Sequence, residues 1–343
     1  MRAAVSHDDF PAVLALRRAA GEYGYLRSYY LPRFRHAGAE LVIGAVFVHP
    51  ATPPGAALEN ALEQLAAVEA EVAACGDSFA LVTTSNELED ARRRGQIALV
   101  LSLEGADPLG GTSVLLPILH RLGIRLLGLT WNGRNAFADG CQESGGLTAA
   151  GRDLVRHAWE LGMAMDVSHL SDAGFREVLS LGQGPVLASH SNCRSLCPHP
   201  RNLTDGQLTA LGRRNGVVGL NQVSFLARRP HSRDGLDDLC AHLLHIWDRT
   251  GGRACLGLDF AREYAEAMSR RRSYWLHWDP SQEDLLDGWG GLTALEDRLR
   301  KRGFPSEALE AVFYGNLWNF LHRVLPGGPV PSNGLRPDLV SIL

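Results

Sequence analysis

Four apolar runs in this chain each end on a side chain able to hold a metal: Ile97–Glu104, Met163–His169, Pro185–His190 and Ala254–Asp259. A continuous apolar run marks a strand buried on both faces, as in an all-parallel sheet. The C-terminal ends of such strands are where an α/β barrel carries its chemistry. Glu104, His169, His190 and Asp259 therefore describe one converging site. Imidazole nitrogen with carboxylate oxygen is the donor set of Zn²⁺ or a similar borderline divalent ion, so a metal-dependent enzyme is the leading reading.

His7-Asp8-Asp9 follows the first candidate strand and joins the same end of the barrel. With it the site offers five ligands, more than one tetrahedral ion with an open position can use. Two ions with one bridging carboxylate use all five and leave room for a shared hydroxide facing a polarised carbonyl. A carboxylated lysine cannot be the bridge, because the single lysine, Lys301, lies in a C-terminal helical segment. Glu104 is the best-placed carboxylate.

Eight segments read as the strands that must position these groups: Arg2–Val5, Leu41–Val48, Ile97–Leu103, Leu126–Trp131, Met163–Ser168, Val186–Ser189, Val217–Asn221 and Cys255–Leu258. Helix-period segments lie between most of them, at Ala57–Ala74, Thr148–Leu161, Ser171–Leu181 and Thr204–Arg214. Thr204 with Gln207 fits a capping box, and Ser171 precedes Asp172 in a first turn. Strands alternating with helices imply right-handed βαβ units and a parallel sheet; eight of them predict an α/β fold of the closed (β/α)8, TIM-type kind. No linker or repeat divides the chain, so one domain is expected over residues 1–343, with closing helices at about 291–324 around Gly303. The aromatic stretch from Phe260 to Trp289, with Tyr264, Tyr274, Trp275 and Trp278, reads as irregular, either a cover over the site or a surface excursion.

The 343 residues are 45% hydrophobic, enough for a well-buried core, and carry a net charge of −4. That charge offers no basic footprint for nucleic acid or an anionic membrane. The short runs Arg92–Arg94 and Arg270–Arg272 read as solvated faces. No signal-length or membrane-spanning apolar stretch is seen, so no membrane anchor and a cytoplasmic location are expected. The six cysteines are expected to stay reduced, Cys193 and Cys197 as two small, semi-buried residues and Cys141 as a packed thiol near the rim.

The motifs together resemble the membrane dipeptidase (renal dipeptidase) family of zinc peptidases. The matching pieces are His7-Asp8-Asp9-Phe10-Pro11, the Ser-x-Glu-Gly around Glu104, Asp166-Val-Ser-His-Leu-Ser171, Ala188-Ser-His-Ser191, His199-Pro-Arg-Asn202, Gly257-Leu-Asp-Phe260 and Gly315-Asn316. They follow the family's order over nearly the whole chain. The resemblance implies a metal-dependent hydrolase barrel, two Zn²⁺ ions and cleavage of free dipeptides. It implies that His7 and Asp9 hold one ion, His169 and His190 the other, and that Glu104 bridges them. By the same match, Arg201 binds the substrate's terminal carboxylate with a planar fork. The match also implies that Asp259 carries a proton from the metal-activated water to the leaving amine.

Three positions depart from the family pattern. Val5 stands where an Asp is common, Asp259-Phe260-Ala261-Arg262 replaces Asp-Phe-Asp-Gly, and Trp131 replaces a substrate-contacting histidine. Trp131 and Asn132 are the expected substrate wall, with Trp131 read equally well as barrel-top packing. The altered wall keeps open a second reading, a binuclear zinc amidase acting on a pathway-specific amide, lactam or Xaa–Cys conjugate. A third, non-catalytic reading would predict lost ligands, and all five are present. The expected partner is a small dipeptide, with a homodimer left open; the other nine histidines, His49 among them, read as surface or packing residues.

Overall fold

The computed structural model describes residues 1–269 and 283–328. Its strands are β1 (Ala3–Asp8), β2 (Ala39–Phe47), β3 (Phe79–Leu81), β4 (Ile97–Glu104), β5 (Ile124–Gly128), β6 (Ala164–Asp166), β7 (Val186–Leu187), β8 (Val218–Leu220) and β9 (Ala254–Leu256). All pairings are parallel, in the order β7-β6-β5-β4-β2-β1-β9-β8. Ala188 bridges back to Val218, which brings the two ends of the path together into a nearly closed eight-stranded barrel.

The ninth strand, β3, is a departure from the eight expected. It pairs with Ile97, Ala98 and Leu99, whereas β5 pairs with Leu101, Ser102 and Leu103. Two neighbours thus share one edge of β4, the lower half and the upper half. Glu104 accordingly closes the fourth strand rather than the third.

Alternation along the strands sorts two apolar layers. Leu41, Ile43, Ala98, Val100 and Leu126 face a cluster inside the barrel, while Val42, Val46, Leu99, Leu101 and Leu103 face the surrounding helices. The inner cluster continues into Leu317, Trp318 and Leu321 of the helix Asn316–Val324, which plugs the N-terminal end. Asn316 fixes that plug by donating to the carbonyls of Gly252 and Ala254, each at 2.7 Å. The Gly-Asn of the late motif is therefore a barrel-floor device, far from the chemistry.

Helices form where period and caps predict them. Ala57–Ala74 is helical throughout, and Thr148, Ser171 and Thr204 are N-caps, with Gln207 completing the box at Thr204. A second box, Thr84 with Glu87, opens Ser85–Arg93 and was legible in the same way. Arg92 and Arg93 of that helix pair with Glu89 and Asp90 on its exposed face. Ala261–Ser269 is also helical, which corrects the irregular reading of the stretch after Phe260. Arg270–Arg272, Tyr274, Trp275, His277 and Trp278 lie outside the described residues. The expected closing region contains helices at Gly291–Lys301, Ser306–Glu310 and Asn316–Val324, with a π-helical turn at Ala311–Gly315. All six cysteines are free and buried, Cys193 and Cys197 included, which corrects the semi-buried reading of that pair. Among the described residues no helix is long and apolar enough to cross a membrane.

Candidate metal centre

The C-terminal ends of β1, β4, β6 and β7 bring His7, Asp9, Glu104, His169 and His190 to one place. Glu104 Oε1 lies 2.9 Å from His169 Nε2 and 3.4 Å from His190 Nε2, while Oε2 lies 3.6 Å from His7 Nε2. Asp9 Oδ1 is 3.6 Å from His7 Nε2 on the far side. The carboxylate of Glu104 therefore stands between two groups, His7 with Asp9 and His169 with His190.

Two residues of the site depend on unusual backbone. His169 has φ +69° and Asp259 has φ +56°, a region that side-chain-bearing residues rarely adopt. At His169 the conformation is held from both sides: its carbonyl accepts the Cys141 N–H at 2.7 Å, and its Nδ1–H donates to Asn132 Oδ1 at 2.8 Å. Asn132 thus spends its oxygen on orienting a histidine. Asp259 sits three residues past the end of β9, with Oδ2 accepting the Asn221 side-chain N–H at 2.8 Å and Oδ1 4.0 Å from His7 Nε2.

Whether a cation fits can be decided from the hydrogens. Asn132 Oδ1 only accepts, so His169 carries its proton on Nδ1. Ser189 gives its hydroxyl proton to Asp166 Oδ2 and stands 2.6 Å from His190 Nδ1, so that nitrogen too is the donor. Both Nε2 atoms are then bare lone pairs, and they face each other at 2.8 Å beside the Glu104 carboxylate. Opposite them, His7 Nε2 and Asp9 Oδ1 are buried with no hydrogen-bond partner among the described residues. Buried acceptors crowded in this way are repulsive unless a positive ion lies among them. The donor set fits metal.

The electrostatics agree. Burial pushes the carboxyls of Glu104 and Asp259 above their ordinary range, with His7 opposing in both cases. Burial also works against the His7 imidazolium, but Glu104, Asp9 and Asp259 together outweigh it and raise that pKa. His169 and His190 are held well below the usual imidazole range by burial, with Arg201 and His7 adding to it. The site asks for positive charge on one side and keeps two imidazoles neutral on the other.

Arg201 is buried at the edge of this cluster. Its Nη1 donates to Ser191 Oγ at 2.7 Å and its Nη2 to the His190 carbonyl at 2.8 Å. Three of the five guanidinium N–H groups remain, including a buried Nε with no partner among the described residues. The Trp131 ring stands 6.0 Å from the His169 ring and 5.6 Å from that of Phe47. It lies beyond the end of β5, which stops at Gly128. Phe47, His49 and Tyr264 line a cleft of about 230 Å³ together with Glu59 and Glu63. His49 belongs to this wall, its ring 6.2 Å from that of Trp131.

Asp166, Ser189 and Asn221 had no assigned role in the sequence reading. All three end or follow strands, but each has a decisive polar partner on another strand, and residue types chosen for metal ligation leave out serine and asparagine. A polar Asn221-Gln222 directly after the apolar Val217–Leu220 was the visible signal.

Known proteins resemble this chain in both sequence and fold. The family model described as membrane dipeptidase, peptidase family M19, matches residues 6–269. An uncharacterised protein in the pqqA 5′ region of Klebsiella pneumoniae is 30% identical over 283 residues, 79% of this chain and 98% of that protein. The dipeptidase verJ of Clonostachys rogersoniana is 31% identical over 233 residues, 66% of this chain, and the match spans only 57% of verJ. A metallopeptidase of Rhodobacter sphaeroides, solved with a phosphinate mimic of the dipeptide L-Ala-D-Ala, superposes with a TM-score of 0.81 at 26% identity, covering 94% of this chain and 99% of its own. The dipeptidase AC, of the same M19 family, superposes with a TM-score of 0.82 at 26% identity, covering 96% and 99%.

Proposed function

The chain belongs to the membrane dipeptidase family and is a metallo-dipeptidase, and from that premise we propose that it hydrolyses free dipeptides with two zinc ions, held by His7 and Asp9 on one side and by His169 and His190 on the other, with Glu104 shared. The observation that carries this reading is the opposed orientation of the two Glu104 oxygens, one toward each pair. Ions bound there would lower the pKa of water and polarise the scissile carbonyl.

The remaining work falls to the chain's own groups. Asp259 Oδ1, facing the cluster while Asn221 holds Oδ2, takes the proton from the attacking water and passes it to the leaving amine. Arg201 uses its uncommitted N–H groups on the substrate's terminal carboxylate. Trp131, between the His169 ring and the Phe47 side of the cleft, forms the wall for the rest of the dipeptide. A cytoplasmic location is supported by the six buried, unpaired thiols.

A second reading, an amidase for a pathway-specific amide, is favoured by one observation: two Arg201 donors are already spent within the protein, leaving a weaker fork for a terminal carboxylate. Elemental analysis of the purified chain and a hydrolysis panel test the proposal. The expected result is about two zinc ions per chain, with L-Ala-D-Ala, whose mimic the Rhodobacter relative binds, as the first substrate to try. A chain that holds no stoichiometric metal, gains no activity on adding zinc, and cleaves no dipeptide in the panel sinks it.

A further inference from the structure

One hydroxyl lies between the two halves of the cluster and touches a histidine from each. The rings of His7 and His190 stack with centroids 3.6 Å apart, although they belong to opposite halves. Ser189 Oγ is 2.6 Å from His190 Nδ1 and 3.5 Å from His7 Nδ1. A hydroxyl has one proton and two lone pairs. Its proton goes to Asp166 Oδ2, and Asp166 is itself fixed, because Oδ1 accepts the backbone N–H groups of Ser168 and Ser189, each at 3.0 Å. Both lone pairs of Ser189 are then left to accept Nδ1–H, one from His190 and one from His7. Each imidazole so bonded turns a bare Nε2 toward the cluster, the form a metal requires.

We propose that Ser189, aimed by Asp166, is a positioning residue shared by the two metal half-sites, setting the metal-ready state of one histidine in each. The inference rests on the two-ion reading above and deepens it. The backbone here has little freedom: the Ser189 carbonyl accepts the Ser6 hydroxyl at 2.5 Å, and a Cβ at Gly219 or Gly257 would overlap its oxygen. The two glycines let β8 and β9 close on Ser189, so its side chain has a fixed origin. Asp166 lies close enough to His7 and His190 to form a ligand group with them, but each of its oxygens already accepts hydrogen bonds that aim it at Ser189. The Asn132 contact to His169 is the one-sided counterpart, since it reaches a single histidine.

The direction of the relay makes it testable. In Asp166→Asn an amide of the same shape would place N–H where Oδ2 accepts now. Ser189 would have to receive that bond and send its own proton to an imidazole Nδ1, which drives the hydrogen of that ring onto Nε2 and blocks the metal position. Zn²⁺ affinity is measured by competition with a chromophoric chelator on wild type, Ser189→Ala, Asp166→Asn and Asn132→Ala, and nitrogen spectra of ¹⁵N-histidine-labelled, metal-free protein report the His190 tautomer. Ser189→Ala should weaken both ions by about 10- to 100-fold, Asp166→Asn at least as much, and Asn132→Ala only one. His190 should be Nδ1–H in wild type and Nε2–H in Asp166→Asn. Unchanged zinc affinity in Ser189→Ala, loss of one ion alone, or an unaltered His190 tautomer in Asp166→Asn would each overturn the shared role. Loss of one ion in Asp166→Asn with none in Ser189→Ala would make Asp166 a direct ligand instead. A wild type holding fewer than two ions would show that the two-ion reading itself had failed.

Discussion

Asn221 donates its side-chain N–H to Asp259 Oδ2 at 2.8 Å, which leaves the other carboxylate oxygen 4.0 Å from His7 Nε2. One oxygen is anchored and the other faces the cluster, the arrangement needed for a group that receives and returns a proton. Asp259→Asn keeps an oxygen for Asn221 and removes the base. Turnover should fall about 10²–10⁴-fold with zinc content unchanged. Full turnover in a variant that retains its metal would assign Asp259 to structure alone.

Glu104 faces both halves of the cluster, whereas His7 faces one. After dialysis, Glu104→Gln should have lost both ions, while His7→Ala keeps the ion held by His169 and His190. Metal counted in the two variants side by side decides the matter. Retention of both ions and of activity by Glu104→Gln would require another residue to be shared between the ions.

Arg201 is expected to prefer a free terminal carboxylate over a neutral amide. A charged hydrogen bond in a partly buried site is worth about 1.5–3 kcal/mol, or roughly ten- to a hundredfold in kcat/KM. Free dipeptides should exceed their C-terminally amidated counterparts by that factor, and Arg201→Ala should treat both alike and poorly. Equal cleavage of the two by the wild type would favour the amidase reading, in line with the donors Arg201 spends on Ser191 and His190.

Glu263, on the helix that follows Asp259, is pushed up to about 7 by burial, only partly offset by the hydroxyls of Tyr30 and of Tyr29, the latter 3.3 Å away. A carboxyl whose pKa is higher folded than unfolded contributes stability that is complete below its ordinary value near 4.5 and lost as pH rises through about 7. Glu263→Gln removes that loss. Urea denaturation from about pH 4 to about pH 8, a span that covers both the unfolded and the folded pKa, should show the variant gaining on the wild type as pH rises. The gain should be about 3 kcal/mol at most, the size of such a shift. A difference between the two that stays constant with pH would place the cost of burying Glu263 elsewhere.

Much of this protein was legible along the chain because the signals are local. Strands buried on both faces must be apolar throughout, so Ile97–Leu103 or Leu41–Val48 declares itself; caps such as Thr204 with Gln207 act over three residues. The candidate ligands were legible because they end or directly follow such runs. β3 was not, since the three residues Phe79–Leu81 are too short to show a period and owe their strand state to the open lower edge of β4. Ala261–Ser269 was obscured by the aromatic residues around it.

The sequence by itself determined the barrel, the five candidate ligands and the family they resemble, since all depend on residue type at spacings set by single strands and helices. Only the tertiary structure decided what each polar group does with its hydrogens. Asn132 turns its oxygen to His169, Ser189 stands between His7 and His190, and Asn221 anchors Asp259, with partners 37, 182 and 38 residues away in the chain. A hydrogen bond depends on distance and direction to about half an ångström, and barrel closure brings those atoms together; no pattern along one strand carries that information.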